Sequence, residues 1–219
     1  MDSFFNLPPS LHFLHSDFLF SNHIFILLKI MIIIGITGTL GAGKGTIVNY
    51  LVNQKDFSHY SVRGFIIEEI KKRKLEVNRD NMVVVANDLR EKNNSAYIAE
   101  QLYERAKKSV NNCIIESLRT IGEVESLKAK GNFYLFAVDA DAKTRYERIS
   151  ERKSETDNIS YETFVENEKR EMDSNDLNKQ NISACIKLAD FVLLNNGTIE
   201  DLNKKVEEII NEIQKNQQK

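Results

Sequence analysis

The sequence predicts an α/β domain in which a parallel five-stranded sheet lies between two layers of helices. The main observation is that short apolar segments, each long enough for one strand, alternate along the chain with longer amphipathic segments. This alternation is typical of strand–helix–strand units, whose strands pair in parallel. A length of 219 residues suits one such domain, and a charged helical stretch at about residues 150–175 is expected to form a small lid.

Strands are predicted from apolar segments bounded by turn residues, and helices from an apolar face with a period near 3.6 residues. The predicted strands cover residues 31–36, 57–62, 113–116, 133–139 and 191–194. The predicted helices cover the stretch after Lys44, residues 63–74, 82–90, 96–107, 124–129, 144–152, 161–172 and 181–188, and the stretch after Thr198. Ligands bind beyond the carboxyl ends of the strands in such sheets, so the chemistry is expected there.

A glycine-rich turn at residues 38–46, GTLGAGKGT, links the first strand to the first helix, and Gly38, Gly43 and Lys44 fit the P-loop pattern G-x-x-x-x-G-K. Glycines let backbone N–H groups approach a phosphate chain, and the following helix points its positive end at the anion. Lys44 adds a charge for the β- and γ-phosphates, and the Thr46 hydroxyl is expected to reach them or Mg²⁺. The predicted ATP-binding residues are Gly38, Thr39, Gly41, Ala42, Gly43, Lys44, Gly45 and Thr46.

Charged residues follow three of the other predicted strands. Glu116 ends a buried strand and is expected to hold Mg²⁺ through water, the alternatives being a helix cap or an ion pair with Lys44. Arg119 and Arg63 are expected to grip the phosphate of an acceptor molecule, the alternative for Arg119 being a surface arginine at a helix start.

The charged stretch after residue 143 has two interpretations. In the first, Arg148 and Arg152, together with Arg170, close with a lid and neutralise the transferring phosphoryl group. In the second, this stretch is a pair of solvated helices laced by salt bridges. His59 is interpreted as a surface or half-buried residue without a catalytic role.

The composition and net charge argue against several classes of protein. A net charge of −2 and a pI near 6.1 give no footprint for nucleic-acid binding. Cys113 and Cys185 have neither a disulfide framework nor metal-ligand spacing, and both are expected to be buried in a cytoplasmic protein. Residues 1–30 hold both prolines and three of the four histidines, and they resemble neither a signal peptide nor a membrane-spanning helix. They are interpreted as an extension outside the fold, which would cover residues 31–214, and the rival interpretation is a weak membrane anchor. Residues 215–219 are expected to fray.

The ordered motifs resemble a known family. The loop GTLGAGKGT looks like the G-x-P-G-A-G-K-G-T loop of adenylate kinases and other nucleoside monophosphate kinases. IIESLRTIGEVESL resembles their strand, acidic residue and acceptor-binding arginine, RISER resembles their lid, and NNGTIEDL resembles the Gly-Thr turn beside the adenine, which implies a nucleotide contact at Gly197. The C-terminal segment is similar to that of dephospho-coenzyme A kinases, and SVRGFIIEEIKKR looks closest to less-characterised archaeal and bacterial P-loop kinases.

The chain departs from these families on the acceptor side. Leu40 replaces the proline of the adenylate kinase loop, Glu116 replaces the usual aspartate, and no Asp-x-Asp follows the second strand. The sequence therefore predicts a P-loop NTPase fold that transfers a phosphoryl group from ATP, with Mg²⁺, to a small phosphate-bearing acceptor, either a nucleoside monophosphate or a compound such as dephospho-coenzyme A. The predicted catalytic residues are Lys44, Arg119, Arg148 and Arg152. The alternative function is a P-loop switch that binds a nucleotide and acts on a partner protein. No nucleic acid and no stable membrane association are expected.

Overall fold

A five-stranded parallel sheet with strand order β2-β3-β1-β4-β5 forms the centre of the computed structural model, which describes residues 31–109, 111–152 and 159–217. All four strand pairs are parallel. The strands are β1 (Ile33–Gly38), β2 (Ser58–Ser61), β3 (Cys113–Glu116), β4 (Phe133–Asp139) and β5 (Phe191–Leu194). The prediction of a parallel five-stranded sheet is confirmed.

The helices of the described residues connect and cover these strands. They are α1 (Lys44–Lys55), α2 (Val62–Lys72), α3 (Arg79–Lys92), α4 (Tyr97–Ala106), α5 (Ile121–Lys128), α6 (Ala142–Arg152), α7 (Tyr161–Met172), α8 (Ile182–Lys187) and α9 (Ile199–Gln217). The second strand is shorter than predicted because the side chain of Ser61 accepts a hydrogen bond from the Gly64 N–H and begins α2 as its N-cap. Helix α9 includes residues 215–217, where the sequence predicts fraying.

Alternating side chains of the strands build one apolar core on each face of the sheet. Ile34 and Ile36 of β1 pack with α1 and α9, whereas Ile33 packs with α2–α5 and α8. Gly35 lies on the second face, where an added Cβ would come within 2.4 Å of the Phe133 ring. Two helical layers therefore enclose the sheet, as the three-layer prediction requires.

The register of the sheet brings the predicted site together. Glu116 lies beside Ile36 on β1 and beside Ser61 on β2, and Asp139 ends β4 on the other side of β1. Because all strands are parallel, these carboxyl ends share one edge with the glycine-rich turn. The strand that ends in Glu116 therefore adjoins the P-loop strand.

Some predictions lie partly outside the described residues. The extension at 1–30 and residues 153–158 of the predicted lid fall there. The described residues belong to a compact unit that begins at Met31. Within the described ranges no helix is long and apolar enough to cross a membrane. Cys113 and Cys185 are buried as predicted, and burial raises the pKa of each thiol to about 12.

Candidate active site

The glycine-rich turn adopts a backbone shape that only glycine accommodates at three positions. Gly38, Gly41 and Gly43 have φ angles of +137°, +81° and +105°. A Cβ on Gly38 would lie 2.0 Å from the carbonyl oxygen of Val138. A Cβ on Gly41 would lie 2.4 Å from the carbonyl oxygen of Arg145, and one on Gly43 would lie 2.3 Å from Nδ2 of Asn195. Gly45 is an ordinary helical residue with open space around it. The turn therefore needs Gly38, Gly41 and Gly43 for its conformation, whereas Gly45 is replaceable by this criterion.

The N-terminus of α1 is open toward an anion. No side chain caps it, and its first turn contains no acidic residue. The N–H groups of a first helical turn have no partner within their own helix, and the helix dipole adds positive potential there. Lys44 begins α1 and Thr46 is its third residue. This is the environment that a phosphate chain requires.

The side chain of Lys44 folds back onto the glycine-rich turn. Its Nζ donates to the carbonyl oxygens of Gly38, at 2.9 Å, and Thr39, at 2.7 Å. An ammonium has three donors, so one remains for a ligand. Burial, and after it the positive charge of Arg119, lowers the pKa of Lys44 from 10.5 to about 8. A bound phosphate would offset both effects, because it brings negative charge to the ammonium.

Side chains at the ends of β4 and β5 form hydrogen bonds with the glycine-rich turn. Thr39 Oγ1 donates to Asp139 at 2.6 Å, and Asn195 Nδ2 donates to the carbonyl oxygen of Ala42 at 2.8 Å. Arg145 donates to the carbonyl oxygen of Leu40 at 3.3 Å and forms an ion pair with Glu168 of α7 at 2.5 Å. The turn is thus held in place by contacts within the protein. Sequence reasoning missed these contacts, although Asp139 and Asn195 stand at strand ends where ligand-site residues are expected.

Glu116 is an ionised carboxylate close to the turn. It accepts hydrogen bonds from Ser117 at 2.7 Å and Ser61 at 3.3 Å, and His59 Nε2 lies 3.6 Å from it. Burial alone would raise the pKa of this carboxyl, but His59, Ser117 and the charge of Lys44 lower it from 4.5 to about 2. His59 is partly exposed, as predicted, but its place beside Glu116 was not anticipated. An ionised carboxylate at the end of β3 suits Mg²⁺, so Glu116 and Thr46 fit the role of holding that ion.

A cleft opens next to the turn, between α2, α3 and the end of β3. Its empty volume is about 720 Å³, including space open to solvent. Five of its fourteen lining residues are arginines and one is acidic. The lining residues are Leu40, Val62, Arg63, Ile66, Arg79, Met82, Val83, Ala86, Arg90, Ser117, Arg119, Arg152, Glu171 and Gln180. Leu40 belongs to the glycine-rich turn, so the cleft borders that turn directly.

Arg119 enters this cleft with its side chain already engaged. Its Nη1 donates to Glu171 at 2.5 Å and to Gln180 at 2.6 Å. Its backbone N–H donates to Glu123 at 2.8 Å. Glu123 also forms the capping box of α5 with Thr120, so the start of α5 fixes the backbone of Arg119. Nothing in the sequence pattern indicated that Glu171, in a run of charged residues, would meet Arg119.

The arginines predicted to bind the acceptor or to close with the lid lie in different places in the structure. Arg152 and Arg63 line the cleft, but Arg148 donates to the carbonyl oxygen of Asn195 at 2.9 Å. Arg170 is exposed, donates to Asn167 and lies 3.7 Å from Asp80. The solvated interpretation therefore describes Arg170, while Arg152 keeps a position suited to an acceptor site.

Gly197 lies in the exposed turn between β5 and α9. The next residue, Thr198, exchanges hydrogen bonds with Asp201, which accepts from the Thr198 N–H at 3.1 Å and donates its own N–H to the Thr198 hydroxyl at 3.1 Å. This is a reciprocal helix cap, which explains the Gly-Thr-x-x-Asp pattern locally. The predicted nucleotide contact at Gly197 stays a prediction.

Comparison with known proteins agrees with this architecture. The family model described as "AAA domain" matches residues 34–175. A UPF0200 protein from Methanocaldococcus jannaschii is 31% identical over 192 residues, which cover 86% of this chain and 94% of that protein. A UPF0200 protein from Methanococcus maripaludis strain C6 is 33% identical over 190 residues, which cover 84% of this chain and all of that protein.

Solved structures share the fold at low sequence identity. TT1252 from Thermus thermophilus superposes with a TM-score of 0.55 at 18% identity, and covers 84% of this chain and 98% of its own. A shikimate kinase from Bacteroides thetaiotaomicron superposes with a TM-score of 0.52 at 11% identity, and covers 83% and 99%. The predicted P-loop fold is confirmed by these neighbours. The chain belongs to the UPF0200 protein family, and its residues 34–175 form an AAA domain.

Proposed function

We propose that this protein is a kinase that transfers the γ-phosphoryl group of ATP to a small phosphate-bearing acceptor, a nucleoside monophosphate or a related compound such as dephospho-coenzyme A. The observation that carries the proposal is the arginine-rich cleft that borders the glycine-rich turn through Leu40. A switch that only binds a nucleotide has no need of a second, cationic cleft beside its phosphate site. A phosphotransferase needs one, because donor and acceptor must lie side by side.

Each half of the site would do a separate part of the reaction. The N–H groups of the turn and Lys44 would hold the β- and γ-phosphates, and Thr46 and Glu116 would hold Mg²⁺. The ion supplies neutralisation of the charge on the phosphates. Arg63 and Arg119 would bind the acceptor's phosphate, and Arg152, which lines the same cleft, would face the transferring group. Phosphoryl transfer requires chiefly this positioning and charge neutralisation.

The first experiment is an acceptor screen with ADP release as the readout. We expect ADP production over many turnovers that depends on one added acceptor and falls at least about a hundredfold in Lys44→Ala, the scale for losing one preorganised charge contact. Lys204→Ala, at an exposed position of α9, is the matched control. Slow ADP release that no acceptor accelerates would instead favour the switch.

A second experiment separates the donor side from the acceptor side. Arg119→Lys keeps the charge but removes the fork that grips a phosphate with parallel hydrogen bonds. A charge-assisted hydrogen bond contributes about 1.5–3 kcal/mol, so acceptor-side kcat/KM should fall roughly ten- to a hundredfold while ATP affinity stays nearly unchanged. Arg170→Lys, outside the cleft, is the control. A collapse of ATP affinity would move Arg119 to the donor site.

A further inference from the structure

The carboxylate of Glu171 lies between two guanidinium groups in the cleft. Its Oε2 accepts from Arg119 Nη1 at 2.5 Å, and its Oε1 accepts from Nη2 of Arg79, the first residue of α3. Glu171 itself comes from α7 and is 3% exposed. Burial alone would raise the pKa of this carboxyl, but Arg119 and Arg79 lower it, so Glu171 is an anion. Two arginines therefore hold an anion, the Glu171 carboxylate, in this structure.

The two arginines offer more donors than this carboxylate uses. Nε of Arg79 is buried and has no hydrogen-bond partner among the described residues, although Nη2 of the same group is engaged. A buried donor without a partner is unfavourable and rare in folded proteins. A carboxylate has two oxygens, whereas a terminal phosphate has three. A phosphate in the same place could accept from both nitrogens of Arg79 and still reach Arg119.

A buried donor is also left at the wall of the cleft formed by α3. Arg90 is 2% exposed and donates Nε and Nη2 to Glu123, but its Nη1 has no partner within the described part of the chain. The lining of the cleft remains rich in arginine even with Glu171 in place. The cleft therefore favours a ligand with more negative charge and more acceptor oxygens than one glutamate side chain supplies.

We propose that Glu171 stands in for the acceptor's phosphate in the free protein, and that Arg79 together with Arg119 forms the clamp that binds that phosphate once Glu171 is displaced. This inference rests on the proposed function and adds Arg79 to the acceptor site. Glu171 competes with the acceptor for the clamp. Removing its charge should therefore strengthen the binding of a phosphate, whereas removing Arg79 should weaken it.

The test uses inorganic phosphate as the probe and the full chain with the P-loop filled by a non-hydrolysable ATP analogue and Mg²⁺, so that the β- and γ-phosphate positions are both occupied and inorganic phosphate cannot bind at the turn. The dissociation constant is measured by phosphorus NMR titration. We expect Glu171→Gln to bind phosphate at least about tenfold more tightly than wild type, a factor that corresponds to about 1.4 kcal/mol. Arg79→Gln should bind at least about tenfold more weakly. Glu166→Gln, at an exposed position of the same helix, should match wild type.

Two results would overturn the proposal. The first is a Glu171→Gln protein that binds phosphate no better than wild type, because Glu171 would then be only a tie between α7 and its neighbours. The second is an Arg79→Gln protein with unchanged phosphate binding. Should Glu171→Gln fail to fold, Arg79→Lys, which keeps the charge and loses the fork, still tests the clamp: we expect a loss of phosphate affinity smaller than that of Arg79→Gln, and an unchanged dissociation constant would overturn the proposal. Phosphate binding needs no turnover, so this result is independent of the acceptor screen.

Discussion

Arg90 and Glu123 form an ion pair that is closed off from water, and its disruption gives the sharpest stability prediction. Their exposed fractions are 2% and 0%, and Arg90 Nη2 lies 2.7 Å from Glu123 Oε1. The other oxygen of Glu123 accepts from the backbone N–H groups of Arg119 and Thr120. The pair thus joins α3 to the start of α5, where the backbone of Arg119 is fixed.

The size of the effect follows from the burial of both charges. Removing one partner of a buried pair costs about 3–5 kcal/mol, because the other charge stays buried and uncompensated. Arg90→Met and Glu123→Gln should each lower the free energy of unfolding by about 3 kcal/mol or more. The double variant has no buried charge, and the Gln oxygen still accepts from the two N–H groups. Its cost should stay below about 2 kcal/mol, so the coupling energy should reach about 4 kcal/mol.

Urea denaturation of the four proteins measures this coupling. With a slope of about 2 kcal/mol/M, a loss of 3 kcal/mol moves the midpoint by about 1.5 M. The control is the surface pair Arg105–Glu68, whose side chains are 43% and 52% exposed. Its coupling in an equivalent cycle should be below about 1 kcal/mol. The buried-charge argument would be refuted if the double variant lost as much free energy of unfolding as the Arg90 and Glu123 single variants lose together.

The remaining predictions concern the glycine-rich turn, two titrating groups and the start of the domain. Gly43→Ala should lower stability by more than about 1 kcal/mol, because its φ of +105° and the amide nitrogen 2.3 Å from the added Cβ oppose it; Gly45→Ala should raise stability by about 0.5–1 kcal/mol in thermal or urea unfolding, since it removes a helical glycine from an open position. ATP affinity, measured by calorimetry, should fall as pH rises above about 8, up to tenfold per pH unit, because Lys44 loses its proton there and phosphate favours the ammonium; a flat profile up to pH 9.5 would contradict this. The pKa of Glu116 is lowered from 4.5 to about 2, so its contribution to stability is present above pH 4.5 and is lost as pH falls toward 2. The free energy of unfolding of Glu116→Gln should therefore change less over this pH range than that of the wild type. A chain that begins at Met31 should keep the thermal midpoint and ATP affinity of the full chain, and a failure to fold would show that residues 1–30 belong to the domain.

The sequence by itself determined the fold class and the position of the glycine-rich turn. Strands such as Ile33–Gly38 are continuous apolar runs because both faces of a parallel sheet are buried, and such runs are visible without a structure. The glycine-rich turn is equally visible, because its glycines and Lys44 meet a local backbone requirement at fixed spacing. Burial of the two cysteines followed from their apolar neighbours along the chain.

Only the tertiary structure decided how the arginine-rich cleft is assembled. Arg79, Arg119 and Glu171 come from α3, the segment after β3 and α7, and no local pattern relates residues that lie 52 and 92 positions apart. A charged residue in a polar helix has the same sequence signature whether it faces solvent, as Arg170 does, or a buried partner, as Glu171 does. Which of the two occurs depends on how the helices pack, because long-range Coulomb and desolvation energies are set by three-dimensional position rather than by spacing along the chain.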